Sequence, residues 1–335
     1  MPDYLLRSAA LFSAIFPVVW LGLLLVYASR RRMMAEAANV AFIAGFLSAL
    51  TVLISFLTAS SVAEGNVIGL KGVVAISFLR AALPEEAAKL AVLLTIVYRH
   101  EDIQSRLDYI LAAGWVSLGF ACLENIFYVF GELNGKDSRW LSIAFARAVT
   151  AVPSHTITGV LMGCLLARSV DEKAHKIWWI VGAFFAPFLL HGLYDVCVLP
   201  LRKEFAGFLT LIDRWYFAFG LGAVMTLEAW LTAFLIRQGQ VRWRKAAPLP
   251  SSGSRWIEHS FTVFVVLTVL LSLGLVVFGI FATWKGNFGS GLAGAGIAWL
   301  GIVYVTWLLR GPVKVGLSDL TPSPQVPISK DLTSG

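Results

Sequence analysis

Charge is scarce in this sequence. Only 14% of its 335 residues are Asp, Glu, Lys or Arg, while 58% are hydrophobic and the mean hydropathy is +0.77. Soluble domains carry roughly a quarter charged residues, so an ordinary soluble globule is excluded, as are a disordered chain and a collagen-like fibre. Cysteine is scarce too. Cys122, Cys164 and Cys197 all lie in apolar stretches, with no CxxC and no finger spacing. They imply neither a disulfide framework nor a cysteine metal site, and read as small packing residues. The period-2 alternation of an outer-membrane barrel is missing. HExxH is missing, which excludes a zincin, and no Ser–His–Asp or Cys–His set has a workable topology. The net charge is +7, but the basic residues are scattered through short loops rather than gathered on one face. Nucleic acid is therefore excluded as a partner.

What is present is a succession of apolar runs long enough to cross a bilayer. The reading is all-α: a polytopic transmembrane helical bundle of about nine spans, at 9–28, 37–58, 73–98, 107–130, 141–167, 178–199, 215–236, 257–282 and 291–309. Alternating them leaves about twice as many Lys and Arg on one side as on the other. The positive-inside rule then puts the N-terminus outside and the C-terminus in the cytoplasm of an integral, multi-pass cell-membrane protein. Five regions follow: an N-terminal two-span region (1–72), a catalytic-type membrane core (73–236), a basic cytoplasmic linker (237–256), a C-terminal two-span hairpin (257–310) and a disordered tail (311–335). No loop is long enough to fold alone, so any chemistry belongs in the membrane or at its face.

Ionisable residues inside a span are costly and mark function. Spans three to six hold Glu85, Glu86, Lys89, Glu124, Arg147, His155, His191 and Asp195. Spans one, two, eight and nine hold none in their interiors. Span seven holds Glu228, near its cytoplasmic end, where it is expected to be solvated. Glu85 and Lys89 stand at i and i+4, the order that favours a helical ion pair. His191 and Asp195 share a face by the same spacing, so Asp195 can orient the imidazole or join it at a metal or an oxyanion. Pro84, Pro153 and Pro187 lie beside these residues, where kinks open room for water. Gly159 and Gly163 form a GxxxG, the sign of close helix packing.

Together these residues resemble the PrsW family of intramembrane proteases, within the superfamily of CAAX-processing and bacteriocin-processing peptidases. The family's four motifs appear in order: EExxK as Glu85, Glu86 and Lys89; FxxxEN as Phe120, Glu124 and Asn125; Arg147 followed by His155; and HxxxD as His191 and Asp195. The likeness covers about residues 83–195. It implies a peptidase of membrane-anchored substrates such as anti-sigma factors. Related CAAX-type enzymes carry His in the second motif, where this chain has Glu124, so their mechanism does not transfer unchanged.

Peptide hydrolysis needs an activated water, a proton donor for the leaving amine and a stabiliser for the oxyanion. Glu85 is assigned as general base, with Glu86 tuning its proton and Glu124 positioning the water. His155 and His191 donate to the oxyanion or leaving group, and Asp195 orients His191. Lys89 and Arg147 balance charge, and Asn125 supports them. Glu124, His155, His191 and Asp195 also form a nitrogen and oxygen set suited to a divalent metal such as zinc. Two other functions stay open at this stage: an inactive membrane scaffold binding single-span partners, and a proton-coupled transporter.

Overall fold

A computed structural model describes residues 3–29, 35–59, 69–133, 140–201 and 210–243, with a few helical positions between 273 and 300. All regular elements among the described residues are helical. They are α1 (Asp3–Ser29), α2 (Ala35–Ala59), α3 (Leu70–Ala75), a π-helical turn (Ile76–Ala82), α4 (Leu83–Thr95), α5 (Arg106–Leu133), α6 (Trp140–Val149), α7 (Ala151–Asp171), α8 (Lys176–Val198) and α9 (Leu211–Trp243), with short 3₁₀ turns at 97–99, 173–175 and 199–201. The chain divides into two compact units, Met1–Leu199 and Pro200–Gly335.

Six segments are long and apolar enough to cross a membrane: Asp3–Leu23, Glu36–Ile54, Arg106–Leu133, Trp140–Val170, Lys173–Leu201 and Ile212–Ile236. Six of the nine expected spans correspond to them. The third does not form a simple span. Residues 73–98 break into α3, the π turn, α4 and a 3₁₀ turn, and carry Arg80, Glu85, Glu86 and Lys89. The spans expected at 257–282 and 291–309 lie largely outside the described residues, as do most of the linker and the whole 311–335 tail. The helix of span seven continues past residue 237 to Trp243, into the stretch expected to be linker.

The break in the third segment has a local cause. Pro84 has no N–H and its ring crowds the carbonyl four residues back. The backbone widens ahead of it, and Leu83 N–H bonds the carbonyl of Phe78, five residues earlier. After this turn α4 is an inverted amphipathic helix. Its buried positions are Glu85, Glu86, Lys89 and Leu93, while Ala87 is exposed. The polar stripe faces protein and the apolar one faces out, as a lipid-embedded helix with an interior site requires.

In the first unit α5 is the central post, packed by α1, α2, α6 and α7, with α8 against α7, α4 and the π turn. Small residues let the backbones meet. A Cβ on Gly119 would collide with the carbonyl of Phe42 on α2, and one on Gly45 with the carbonyl of Val116 on α5. Gly163 of the GxxxG faces Ile110 Cα at 2.8 Å from where its Cβ would lie, and Gly159 faces Ser117. Close approach of this kind is how membrane helices gain packing without a hydrophobic driving force between them.

In the second unit the buried positions of α9 are Ala218, Leu221, Met225, Glu228, Thr232 and Leu235, spaced three and four apart. Glu228 is therefore fully buried, not solvated as expected. Its nearness to the end of the span says nothing of its rotational phase, which places it on the inward stripe.

Gly119→Ala is expected to lower stability by about 1–3 kcal/mol, because the α2 backbone must move away. Gly131, with open space around it, accepts Ala with no loss or with a gain of up to about 1 kcal/mol in helix propensity. Thermal unfolding in detergent, followed by tryptophan fluorescence, measures both.

Candidate active site

α4 brings Glu85, Glu86 and Lys89 inward, α5 Glu124 and Asn125, α6 Arg147, α7 His155, and α8 His191 and Asp195. Deepest is Lys89. Its side chain is 1% exposed and that of Glu86 is 0% exposed. Lys89 Nζ donates to Glu86 Oε1 at 2.7 Å and to His155 Nδ1 at 3.0 Å, and lies 4.3 Å from the centre of the Phe120 ring. The expected pair was Glu85 with Lys89. The partner is Glu86 instead, because Glu85 turns toward α8, where it lies 3.8 Å from His191 Nε2.

His191 is fixed by Glu86. Its Nδ1–H donates to Glu86 Oε1 at 2.7 Å, which leaves Nε2 facing the carboxylates of Glu85 and Asp195. Asp195, expected to orient the ring, stands 3.5 Å from Nε2, beyond the range of a good hydrogen bond. The orienting carboxylate is thus Glu86, the arrangement in which one ring nitrogen is anchored and the other presented.

His155 is held on both sides. An ammonium can only donate, so Nδ1 accepts from Lys89, and Nε2–H donates to Glu124 Oε2 at 2.7 Å. The rings of His155 and His191 are 5.1 Å apart and nearly perpendicular. Glu124 Oε2 also receives the Arg147 guanidinium at 2.9 Å. Arg147 lies over the Tyr128 ring at 4.2 Å, and its Nε donates to Asn125 Oδ1 at 2.6 Å. Asn125 Nδ2 in turn donates to the carbonyl of Ala14 on α1 at 3.3 Å.

The groups are therefore layered. Glu86 and Lys89 are sealed, Glu85, His155 and His191 lie above them, and Glu124 and Asp195 form a rim at 18% and 17% side-chain exposure. All nine residues singled out in the sequence fall in this one network. Phe120, already in the FxxxEN motif, proves to be a face for Lys89. Tyr128, Thr150 and Tyr194 were missed, as was the carbonyl of Ala14, and the only sequence signal for the first three is their helical spacing from Glu124, Arg147 and His191.

The donor set also fits a metal. Glu85, His155 and His191 each offer one ligand atom, all within 4.8 Å of one another, and buried Glu85 Oε2 accepts no hydrogen bond among the described residues. Two imidazoles and a carboxylate are a usual zinc set. Of the four residues expected as ligands, the two histidines belong to this group. Glu85 takes the carboxylate place, with Glu124 engaged by Arg147 and His155, and Asp195 at the edge.

The sequence comparisons agree with this geometry. Residues 34–224 match the family described as PrsW family intramembrane metalloprotease, and that segment holds every site residue above. The chain belongs to the PrsW family. Among its relatives are proteins named Protease PrsW. That of Oceanobacillus iheyensis is 38% identical over 136 residues, covering 41% of this chain and 58% of the relative. That of Halalkalibacterium halodurans is 39% identical over 121 residues (36% and 53%). That of Geobacillus kaustophilus is 34% identical over 175 residues (52% and 70%). The chain thus spans just over half the length of the first two. No solved structure matches it. Within this PrsW-family chain α1, whose Ala14 carbonyl holds Asn125, precedes the matched segment.

Breaking a buried ion pair leaves an uncompensated charge at a cost of about 3–5 kcal/mol. Lys89→Met is expected to destabilise by that amount. Glu86→Gln combined with Lys89→Met should recover more than half of the loss, as read by thermal unfolding in detergent.

Proposed function

We propose that this PrsW-family protein is an intramembrane peptidase, hydrolysing a peptide bond of a membrane-anchored protein, of which anti-sigma factors are one class. The observation that carries the reading is the convergence of Glu85, His155 and His191 at a buried point, with Glu85 Oε2 accepting no hydrogen bond among the described residues.

In this mechanism Glu85 takes the proton of the attacking water through Oε2. His191, its ring held by Glu86 at Nδ1, presents Nε2 beside Glu85 and serves the oxyanion or the leaving amine. Asp195, on the rim, holds a proton in transit between Nε2 and the amine. Glu124, restrained by Arg147 and His155, positions the water. Lys89 offsets the negative charge of Glu86 from below. Low dielectric strengthens each of these interactions and keeps competing water away.

The family description supports a metal, and Glu85, His155 and His191 would hold it. When bound, a zinc ion would supply an acidified water and a polarised carbonyl. His155 would then have to release one ring nitrogen, from Lys89 or from Glu124. That engagement of both His155 nitrogens favours a second reading, in which the carboxylate works without a metal.

The wider organisation belongs to the same proposal. Residues 73–236 carry the chemistry, and 257–282 and 291–309 add two crossings to the six membrane-length segments. The N-terminus lies outside, on the strength of the Lys and Arg distribution.

Purified protein in liposomes should cleave a single-span substrate. Glu85→Gln is expected to reduce the rate by roughly 10²–10⁴-fold, the range of general acid–base catalysis, with the melting temperature unchanged. Full activity of that variant contradicts the assignment. Dialysis against a chelator should abolish cleavage, with zinc restoring it, if the metal-bound form is the active one. Unchanged cleavage after metal analysis shows an empty protein upholds the carboxylate alone.

A further inference from the structure

Tyr194 and Thr150 are not among the defining residues of the four motifs, Tyr194 standing at a variable position of HxxxD, yet they join the two halves of the site. α6 and α7 are separated at Thr150, whose backbone (φ −126°, ψ −66°) leaves the helical region just ahead of Pro153. Arg147 precedes this break and His155 follows it. On α8, Tyr194 lies on the same stripe as His191 and Asp195. The Tyr194 hydroxyl donates to Thr150 Oγ1 at 2.8 Å, and Thr150 Oγ1 donates to the Ala146 carbonyl at 2.8 Å. Both side chains are buried, at 5% and 7% exposure.

The position of this bond gives it its weight. α6 packs on α5, α1 and α7, whereas α8 packs on α7, α4 and the π turn. Among the described residues α6 and α8 share no extended packed face. Arg147, which holds Glu124, comes from α6, and Asp195 from α8. α7 and α8 pack on each other and hold His155 and His191, but no extended packing fixes the α6 end that carries Arg147 relative to α8, and Thr150 sits at the hinge where a change would be absorbed.

We infer that the Tyr194–Thr150 hydrogen bond is a latch across the open side of the site, and that both are positioning residues. They set the distance between Arg147 on α6, with the Glu124 it restrains, and the His191–Asp195 group on α8, and do not take part in the reaction themselves. The bond is made by two neutral groups, so it can open and reclose without stranding a charge. Its buried place keeps water from competing with it. The inference rests on the peptidase reading for its catalytic consequence, but the latch itself is a structural claim.

The test uses full-length protein with Tyr194→Phe, Thr150→Val, the pair together, and Thr150→Ser, which keeps the hydroxyl. In liposomes, Tyr194→Phe and Thr150→Val should each lower kcat roughly 10- to 100-fold with KM little changed, as expected for misplacement on the order of 1 Å. The double variant should lose no more than either single one, and Thr150→Ser should be close to wild type. In parallel, spin labels at Phe145 on α6 and Leu193 on α8, both exposed, report the interval directly by pulsed electron resonance. The distance distribution should be narrow in wild type and Thr150→Ser, and broad in Tyr194→Phe and Thr150→Val. Unchanged distributions, or losses of kcat that add, overturn the latch. A wild type that cleaves nothing, yet whose distribution broadens in the same variants, fails the peptidase reading and leaves the latch standing.

Discussion

One ammonium group organises the first unit. Lys89 Nζ sits almost without solvent access between Glu86 on its own helix and His155 on α7. A charge in such a place is tolerated only if its protons are satisfied. Glu86, drawn in by Lys89, uses the same oxygen to hold His191 on α8. Three helices are thus bound at one point by groups that cannot be released singly. From that point the two imidazoles are aimed: His191 turns Nε2 toward Glu85 and Asp195, and His155 turns Nε2–H toward Glu124.

The backbone has to accommodate this node, and it does so through irregularities. The π turn before Pro84 sets the phase of α4 so that its charged stripe faces inward. On α8, Gly192 follows His191, and a Cβ there would run into the Phe78 ring of the π turn. Glycine at that position lets α8 approach closely enough for His191 to reach Glu86. The break at Thr150 does the same for α6 and α7, turning Arg147 and His155 onto one oxygen of Glu124 although they come from two helices. Depth and reactivity are thereby combined: sealed charges below, reacting groups above, and two partly open carboxylates at the rim.

Much of this was legible in the sequence. Charged residues confined to four consecutive apolar segments identified the site residues, because the bilayer leaves few other reasons for them. The pairings inside the network were less accessible. Spacing of i and i+4 favoured Glu85 as the partner of Lys89, but that rule assumes an isolated, exposed helix. Here Glu85 turns toward His191 on α8, and Glu86 is left to Lys89. Likewise HxxxD suggested that Asp195 orients His191, whereas the anchoring carboxylate comes from a distant helix. Glu228 was misjudged because depth along a span was read without rotational phase. Thr150 and Tyr194 had only their helical spacing from Arg147 and His191 to mark them, and a hydroxyl pair between distant helices adds no local pattern to that.

The protonation pattern of the two site histidines tests the central node most directly. Nitrogen-15 NMR of histidine-labelled protein in detergent distinguishes the ring nitrogens that carry protons. The account requires His155 to be protonated at Nε2 and unprotonated at Nδ1, and His191 to carry a proton at Nδ1 hydrogen-bonded to a carboxylate. A His155 protonated at Nδ1 in the wild-type protein, or rings exchanging as freely as those of a solvated histidine, would contradict it.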